Sequence, residues 1–492
     1  IFARLFSDPD SLLFMIGDPK QAIYSFRGAD IFSYLKAARD AQTKFTLTEN
    51  WRSEPHLIEA INTLFSNLDR PFLFSDILFE PARAGKNLTG KPPKGITPMT
   101  IWYLDSRSYS YKEKPVTKTT ATRLLAEAVA EEIYRLVSSE SNSWQPGDMA
   151  VLVRTNRQAR LVNRSLSVRG LPSVLYSTGN IFDSREAMEI EKILLSISAP
   201  NNPGLLKAAL AFDMMGARGE DLLAADLDVD LWEDQLIRIR DYAQLWQRSG
   251  FMQMFRTLMN REHIRQRLLS YTDGERRLTN VLHLAEIVHQ ESTRRNLGMS
   301  GVLKWLAEQR DPQTPRSEEH QLRLESDAHA VNIVTIHKSK GLEYPVVFCP
   351  YGWEGSFIKD AEIIFHKPAT SADEQHLMMD LGSDSHATHL IHAQNELLAE
   401  NIRLLYVALT RAKSKCYLAW GRINTAESSA LAYLLHTESA TQADRQPADR
   451  VAEVKRQVKA KSDAERLADL SMLAQKSEGS IEVVSLPEPS DR

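Results

Sequence analysis

"VNIVTIHKSKGLEYPVVF", residues 331–348, sets two short apolar runs on either side of a polar loop that carries a glycine. Neither run alternates apolar with polar residues, as a strand with one wet face would, so each reads as a strand buried on both faces. The same composition recurs in "LLFMI" (12–16), "FTLT" (45–48), "MTIWYL" (99–104), "MAVLVR" (149–154) and "CYLAW" (416–420). Between these runs, 119–138 and 394–411 carry the period of helices. Strands of this kind separated by helices predict an α/β fold, a parallel sheet with helices packed on both faces. From 186 to 325 the pattern changes to long, charged, amphipathic stretches with almost no strand signal, which predicts a helical insertion. Beyond about 425 the chain turns rich in Ala, Ser, Lys and acidic residues and reads as a linker or tail.

Composition narrows the function. With 43% apolar and 25% charged residues, the 492 residues suffice for a substantial core and for more than one domain. Lys and Arg number 60 against 64 Asp and Glu, a net charge of -4, so any basic surface for nucleic acid must be local. Cys349 and Cys416 are the only cysteines, which excludes a disulfide framework and fits a reducing cytoplasm. No apolar stretch reaches the roughly 18 residues of a membrane span, and no secretory leader is expected. A start without Met, "IFARLFSDPD", is what a fragment or processed product would show.

Four loops gather the residue types of a phosphate and nucleic-acid site. "GDPKQAIYSFRGAD" (17–30) follows an apolar run, where an open parallel sheet collects ligands; Gln21 can bond a phosphate or a water. Tyr24, Phe26 and Arg27 offer flat faces for stacking, although two aromatics at this spacing also suit a core. "LTENWRSEPHLIEAI" (47–61) sets Trp51 and Arg52 at a strand end before a helix near Pro55, where Ser53 is a candidate cap. The 331–348 loop carries His337, Lys338, Lys340, Gly341 and Glu343, and "AENIRLLYVALTRAKSKCYLAW" (399–420) places Arg403 and Arg411 on a helix.

Together these blocks resemble those numbered III to VI in the UvrD-like superfamily 1 helicases, and the wording of 17–37 is nearest to the RecB type, the beta subunit of exodeoxyribonuclease V. The resemblance runs over about residues 1–425. It implies RecA-like, P-loop NTPase-type motor domains with ATP between them and single-stranded DNA across their upper faces. Carried over position by position, it makes Gln21 a γ-phosphate sensor, Arg52 and Arg411 catalytic cations, Trp51 an adenine platform, and Glu343 with Gly341 a ribose contact. Tyr24, Phe26, Arg27 and His337 fall on the DNA side. The domain organisation it implies is 1–45 for the end of the first motor domain, 46–185 and 326–425 for the second, 186–325 for the insertion, and 426–492 for a linker toward a nuclease domain.

ATP and Mg²⁺ are the implied cofactors, duplex ends and single-stranded DNA the substrates, RecC-like and RecD-like subunits the partners, with no membrane association. The implied function is 3′ to 5′ DNA translocation in double-strand break repair. An AddA-type subunit is the nearest enzymatic alternative, and a catalytically silent scaffold the nearest of another class. The family's P-loop and acidic metal-binding strand do not precede Gly17, so this chain by itself is expected to be inactive. "GKNLTGKP" (85–92) imitates a P-loop but puts Pro92 where a hydroxyl is needed.

Two further stretches carry no such assignment. "RTNRQARLVNRSLSVRG" (154–170) holds Arg154, Arg157, Arg160, Arg164 and Arg169 without an acid, which suits either phosphate contacts or a solvated face. His386, His389 and His392 recur at intervals of three, a spacing that fans side chains over about 120° and does not converge on a metal. No metal site is expected from them.

Overall fold

The computed structural model describes residues 13–25, 28–85, 97–110, 114–139, 144–176, 180–271, 273–311, 314, 329–358, 362–367, 376–437 and 450–487. The chain divides into two compact units, one of residues 1–176 with 327–492 and one of 177–326.

The first unit opens with α1 (Ile31–Asp40), β1 (Glu49–Asn50), α2 (Pro55–Phe65), β2 (Arg83–Ala84), β3 (Met99–Leu104), α3 (Lys118–Ser138), β4 (Met149–Val153), α4 (Asn156–Val168) and β5 (Ser173–Tyr176). The second unit holds α5 (Arg185–Ser198), α6 (Pro203–Leu210), α7 (Gly219–Leu227), α8 (Val229–Arg261), α9 (Ile264–Leu269), α10 (Gly274–Arg294) and α11 (Met299–Arg310). The chain then returns through β6 (Val331–Thr335), β7 (Tyr344–Cys349), β8 (Ile363–His366), β9 (Leu377–Asp380), α12 (His386–Leu409) and β10 (Ala412–Gly421). It closes with α13 (Ala430–His436), α14 (Arg450–Ala460), α15 (Asp463–Lys476) and β11 (Ile481–Ser485).

Seven strands form one sheet in the order β11-β3-β10-β7-β4-β6-β5, every pair parallel, as the apolar runs predict. All residues of β3 and β4 are buried, which is why neither run alternates. Packing fixes the centre: the Phe348 and Tyr417 rings stack 4.4 Å apart, with Trp102 5.1 Å from Tyr417, and the Tyr417 hydroxyl donates to Glu132 of α3 at 2.6 Å. Burying each such ring stabilises by about 1.5–3 kcal/mol. Helix α4 begins with a capping box in which the Thr155 hydroxyl accepts from the Gln158 amide and the Gln158 side chain accepts from the Thr155 amide.

Three sequence expectations need correction. "LLFMI" is not a buried strand: among the described residues Leu13–Ile16 pairs with no other strand and stands exposed, Ile16 by 98%. No described strand or helix covers it, and period alone cannot supply a neighbour. At 45–48 the pairing starts later, at Glu49, while Phe45 and Leu47 are exposed. The stretch 426–492 is not merely a linker. Val454, Val458, Leu470 and Leu473 are buried in the main core, and β11 adds a seventh parallel strand beside β3. Its charged composition hides these apolar positions, and two of its charged residues, Asp463 and Arg466 of α15, are themselves buried; Ser462 with Glu465 forms a capping box.

The second unit has its own apolar core, drawn from α5, α6 and α8 to α11. Inside it lies an ion cluster in which Arg277 of α10 reaches Glu186 at 3.2 Å, Asp213 at 2.9 Å and Glu189 at 3.5 Å.

Candidate nucleotide and nucleic-acid site

At the amino ends of β7 and β10, where Ala412 stands opposite Tyr344, the segment after β1 lies along the turn between α12 and β10. Two backbone amides, of Arg52 at 2.8 Å and Ser53 at 3.0 Å, donate to the Asn50 side chain and hold the turn. The Ser53 hydroxyl is not a helix cap; buried, it donates to the Ala412 carbonyl at 2.7 Å and ties the turn to β10. Glu54 is the cap residue of α2, without a side-chain bond, and Pro55 sets the first helical position.

This seam brings the expected cations together. Arg52 donates through Nε to Glu343 at 3.0 Å and through Nη1 to the Thr410 carbonyl at 3.2 Å. Arg411, 1% exposed, donates to the carbonyls of Val407 at 2.9 Å and Leu342 at 3.2 Å and to the Thr410 hydroxyl at 3.1 Å. Burial and the neighbouring Arg52 charge push the Arg411 guanidinium down to about 10, so it stays charged at neutral pH. Glu343 is shared between Arg52 and Lys413, the latter at 2.6 Å, and those hydrogen bonds hold its carboxyl below the usual range. Gly341, at φ +90°, makes the turn into this carboxylate, a conformation that favours glycine.

Trp51 is 57% exposed and rests on Gly85, where an added Cβ would stand 2.6 Å from the indole. The absence of a side chain at Gly85 therefore lets the ring lie close to the backbone.

The 17–25 segment docks on the same unit. Its Asp18 side chain accepts from the Lys20 amide at 2.9 Å and from the Gln21 side chain at 3.0 Å, so the Gln21 amide group is folded back onto Asp18. Lys340 donates to the Gln21 carbonyl at 2.8 Å, and Arg403 of α12 donates to the Ala22 carbonyl at 2.8 Å. Ser25 bonds to Glu400. Tyr24 donates to the His337 carbonyl at 3.0 Å, its ring 6.4 Å from the imidazole, with Lys340 5.1 Å from the Tyr24 ring centre. Half-buried Lys338 is pushed down to about 8 by desolvation. Phe26 and Arg27 lie outside the described residues.

Tyr406 of α12, which the sequence reading missed, packs edge-on against Phe65 and Phe72 and accepts at its carbonyl from the Thr410 hydroxyl at 2.9 Å. Burial and the Asp18 carboxylate push its phenol up, while Arg411 and Arg52 act in the opposite direction, so all three charges bear on one side chain. Lys413 was also missed; Arg411, expected on the helix, lies in the turn after it, and Lys413 follows at the start of β10. The histidine triplet is used structurally: His389 pairs with Asp380 at 2.6 Å and stacks 4.4 Å from Phe365, with His392 6.3 Å from that ring. Among the described residues no group of three His, Cys, Asp or Glu could hold a metal ion, and no helix is long and apolar enough to cross a membrane. Most of the P-loop imitation, 86–92, lies outside the described residues.

A family described as the UvrD-like helicase C-terminal domain matches residues 45–215 and 233–422, and one described as the UvrD/REP helicase N-terminal domain matches 1–42. RecBCD enzyme subunit RecB of Escherichia coli (strain K12) is 35% identical over 432 residues, covering 85% of this chain and 36% of that protein. The RecB subunit of Haemophilus influenzae is 35% identical over 454 residues, covering 88% and 36%. That of Mycobacterium tuberculosis (strain ATCC 25618 / H37Rv) is 30% identical over 430 residues, covering 85% and 38%. The chain thus spans little more than a third of the length of these curated relatives. Its matched family domains, its parallel sheet and the four blocks gathered on that sheet agree: the chain belongs to the UvrD-like helicase family and is RecB-like within it.

Proposed function

We propose that this chain supplies the second motor domain, its helical insertion and an adjoining part of the first motor domain of an ATP-dependent 3′ to 5′ DNA helicase subunit of the RecBCD type. The observation that carries the reading is the convergence of Arg52, Arg411 and Glu343 on one seam, with the loop after Asp18 held on the same unit by Lys340 and Arg403. Phosphoryl transfer gathers negative charge on the phosphates, and fixed cations stabilise that charge most when their own partners already orient them. Arg411 is oriented by three acceptors and Arg52 by two.

ATP fits these residues: a tryptophan face for the base and two guanidinium groups for the phosphates. Bound ATP supplies the phosphoryl group whose transfer drives stepping. Mg²⁺ enters this reading with the nucleotide's phosphates rather than through a ligand set among the described residues. The chain's own part is to place Arg52 and Arg411, to release Gln21 from Asp18 toward the γ-phosphate, and to pass the change through Lys340 and Arg403 to Tyr24 and His337. Single-stranded DNA is the substrate of that grip, since an aromatic face accepts any base. RecC-like and RecD-like subunits as partners, a cytoplasmic location and a role in double-strand break repair follow from the same reading.

The reading is tested by ATP hydrolysis in a polypeptide that carries this chain behind a P-loop-bearing first motor domain. Single-stranded DNA should stimulate turnover; hydrolysis indifferent to DNA contradicts the proposal. In that polypeptide, Gly85→Val drives a side chain into the space under Trp51. Loss of a stacked base costs about 1–3 kcal/mol, so the KM for ATP should rise by about tenfold or more with kcat less affected. An unchanged KM would remove Trp51 from the nucleotide site.

A further inference from the structure

Helix α4 buries Gln158, Ala159, Val162, Ser165 and Leu166 against the sheet and turns Arg157, Arg160 and Arg164 outward, all three exposed. At about 100° per residue the three fall within an arc of about 60°, and they span about 10 Å of helix axis. The arginines that flank them are already engaged. Arg154 donates to the Glu354 carbonyl at 2.9 Å and bonds to Asn401, while Arg169 pairs with Glu131 at 2.9 Å. Among the described residues no carboxylate lies within ion-pair distance of Arg157, Arg160 or Arg164. In a chain whose acids outnumber its lysines and arginines, three neighbouring arginines without a carboxylate partner form a local positive stripe.

The position of the stripe names its ligand. Strands β4 and β6 run in parallel with Val153 opposite Thr335, so the turn into α4 and the single helical turn Ile336–Ser339 leave the sheet side by side at its carboxyl edge. His337, Lys338, Lys340 and Tyr24 occupy that edge. We infer that Arg157, Arg160 and Arg164 form a phosphate-backbone track for single-stranded DNA, continuing from Tyr24 and His337 along the outer face of α4. The inference rests on the DNA reading above and extends it to residues outside the four family blocks.

The test uses the 492-residue chain as it is, with a fluorescein-labelled oligo(dT) read by anisotropy across a salt series. Each contact contributes about 0.7 to the salt slope for a single strand, so the triple variant Arg157→Gln/Arg160→Gln/Arg164→Gln should lower the slope by about 2. At 0.15 M salt that corresponds to an affinity about 50-fold weaker. The triple Arg→Lys variant, which keeps the charge, should retain the slope. Because the three side chains point to solvent, the melting temperature should not move; if the triple variant fails to fold, single Gln variants should each lower the slope by about 0.7. A wild-type chain that binds and a Gln variant with the same affinity and slope overturn the track alone. A wild-type chain that binds no oligo(dT) overturns the DNA reading with it. Polyglutamate binding that disappears in the Gln variant while oligo(dT) binding stays would assign the stripe to an acidic protein partner and likewise overturn the track.

Discussion

Arg411→Ala, made in a polypeptide that joins this chain to a P-loop-bearing motor domain, is expected to lower DNA-stimulated ATP turnover by about 10³-fold or more while leaving affinity for single-stranded DNA unchanged. The magnitude is that of an arginine supplied to the transferring phosphates. The direction follows from the seam: Arg411 and Arg52 are the buried and half-buried cations held at one end of the sheet, whereas Tyr24 and His337 sit on a separate set of bonds. Truncation also strips a donor from the carbonyls of Val407 and Leu342, so a structural contribution has to be separated. Arg411→Lys serves for that. A lysine keeps the positive charge without the forked geometry, and should restore stability more than turnover. Turnover that survives Arg411→Ala would take this residue out of the chemistry.

Arg277→Ala should destabilise the 177–326 unit by about 3 kcal/mol, the low end of the cost of breaking a buried ion pair, because Glu186 loses its cation while Arg185 still pairs with Glu189 and Asp213. Its guanidinium is the common partner of Glu186, Glu189 and Asp213, and Glu189 is fully buried. Burial pushes Glu189 up even with Arg277 in place. Without the arginine, the carboxylates favour their protonated forms more strongly. The folded variant then binds protons more tightly than its unfolded chain, so the loss should shrink as pH falls through the carboxyl range and be fullest at neutral pH. Hydrogen exchange in α5 and α10 measures it, because both helices contribute to the cluster. Protection equal to wild type at neutral pH would mean that the cluster adds nothing. Arg277→Met, which replaces the charge by an apolar chain, should also lose stability, because the three acids stay behind.

Much of the sheet was legible because burial on both faces leaves a local trace: "MTIWYL", "MAVLV" and "VNIVT" became β3, β4 and β6. Expectations failed where the deciding neighbour is remote. "LLFMI" has the composition of a core strand but no described partner, and β11 is placed only by pairing with β3, almost 400 residues earlier in the chain. At the candidate site, residue types in the blocks around Arg52, Glu343 and Arg411 named side chains that the fold brings onto one seam. What the sequence could not convey is how they satisfy one another: that Gln21 is turned back on Asp18, that Glu343 is already held by Arg52 and Lys413, or that Tyr406 lies among opposing charges. The Arg52–Glu343 bond joins residues 291 positions apart, while the Gln21–Asp18 bond, only three apart, depends on side-chain geometry that residue type does not fix. The arginines of 154–170 show the same limit: two are consumed by Glu354 and Glu131 and three remain outward, a division the sequence leaves open.

Directional strand separation tests the central claim most directly. With the P-loop-bearing domain joined to this chain, a duplex with a 3′ single-stranded tail and one with a 5′ tail would be followed with and without ATP and Mg²⁺. The account predicts ATP-dependent separation of the 3′-tailed duplex and little of the 5′-tailed one. Separation that favours the 5′ tail, or none while both the nucleotide and the DNA bind, would contradict it.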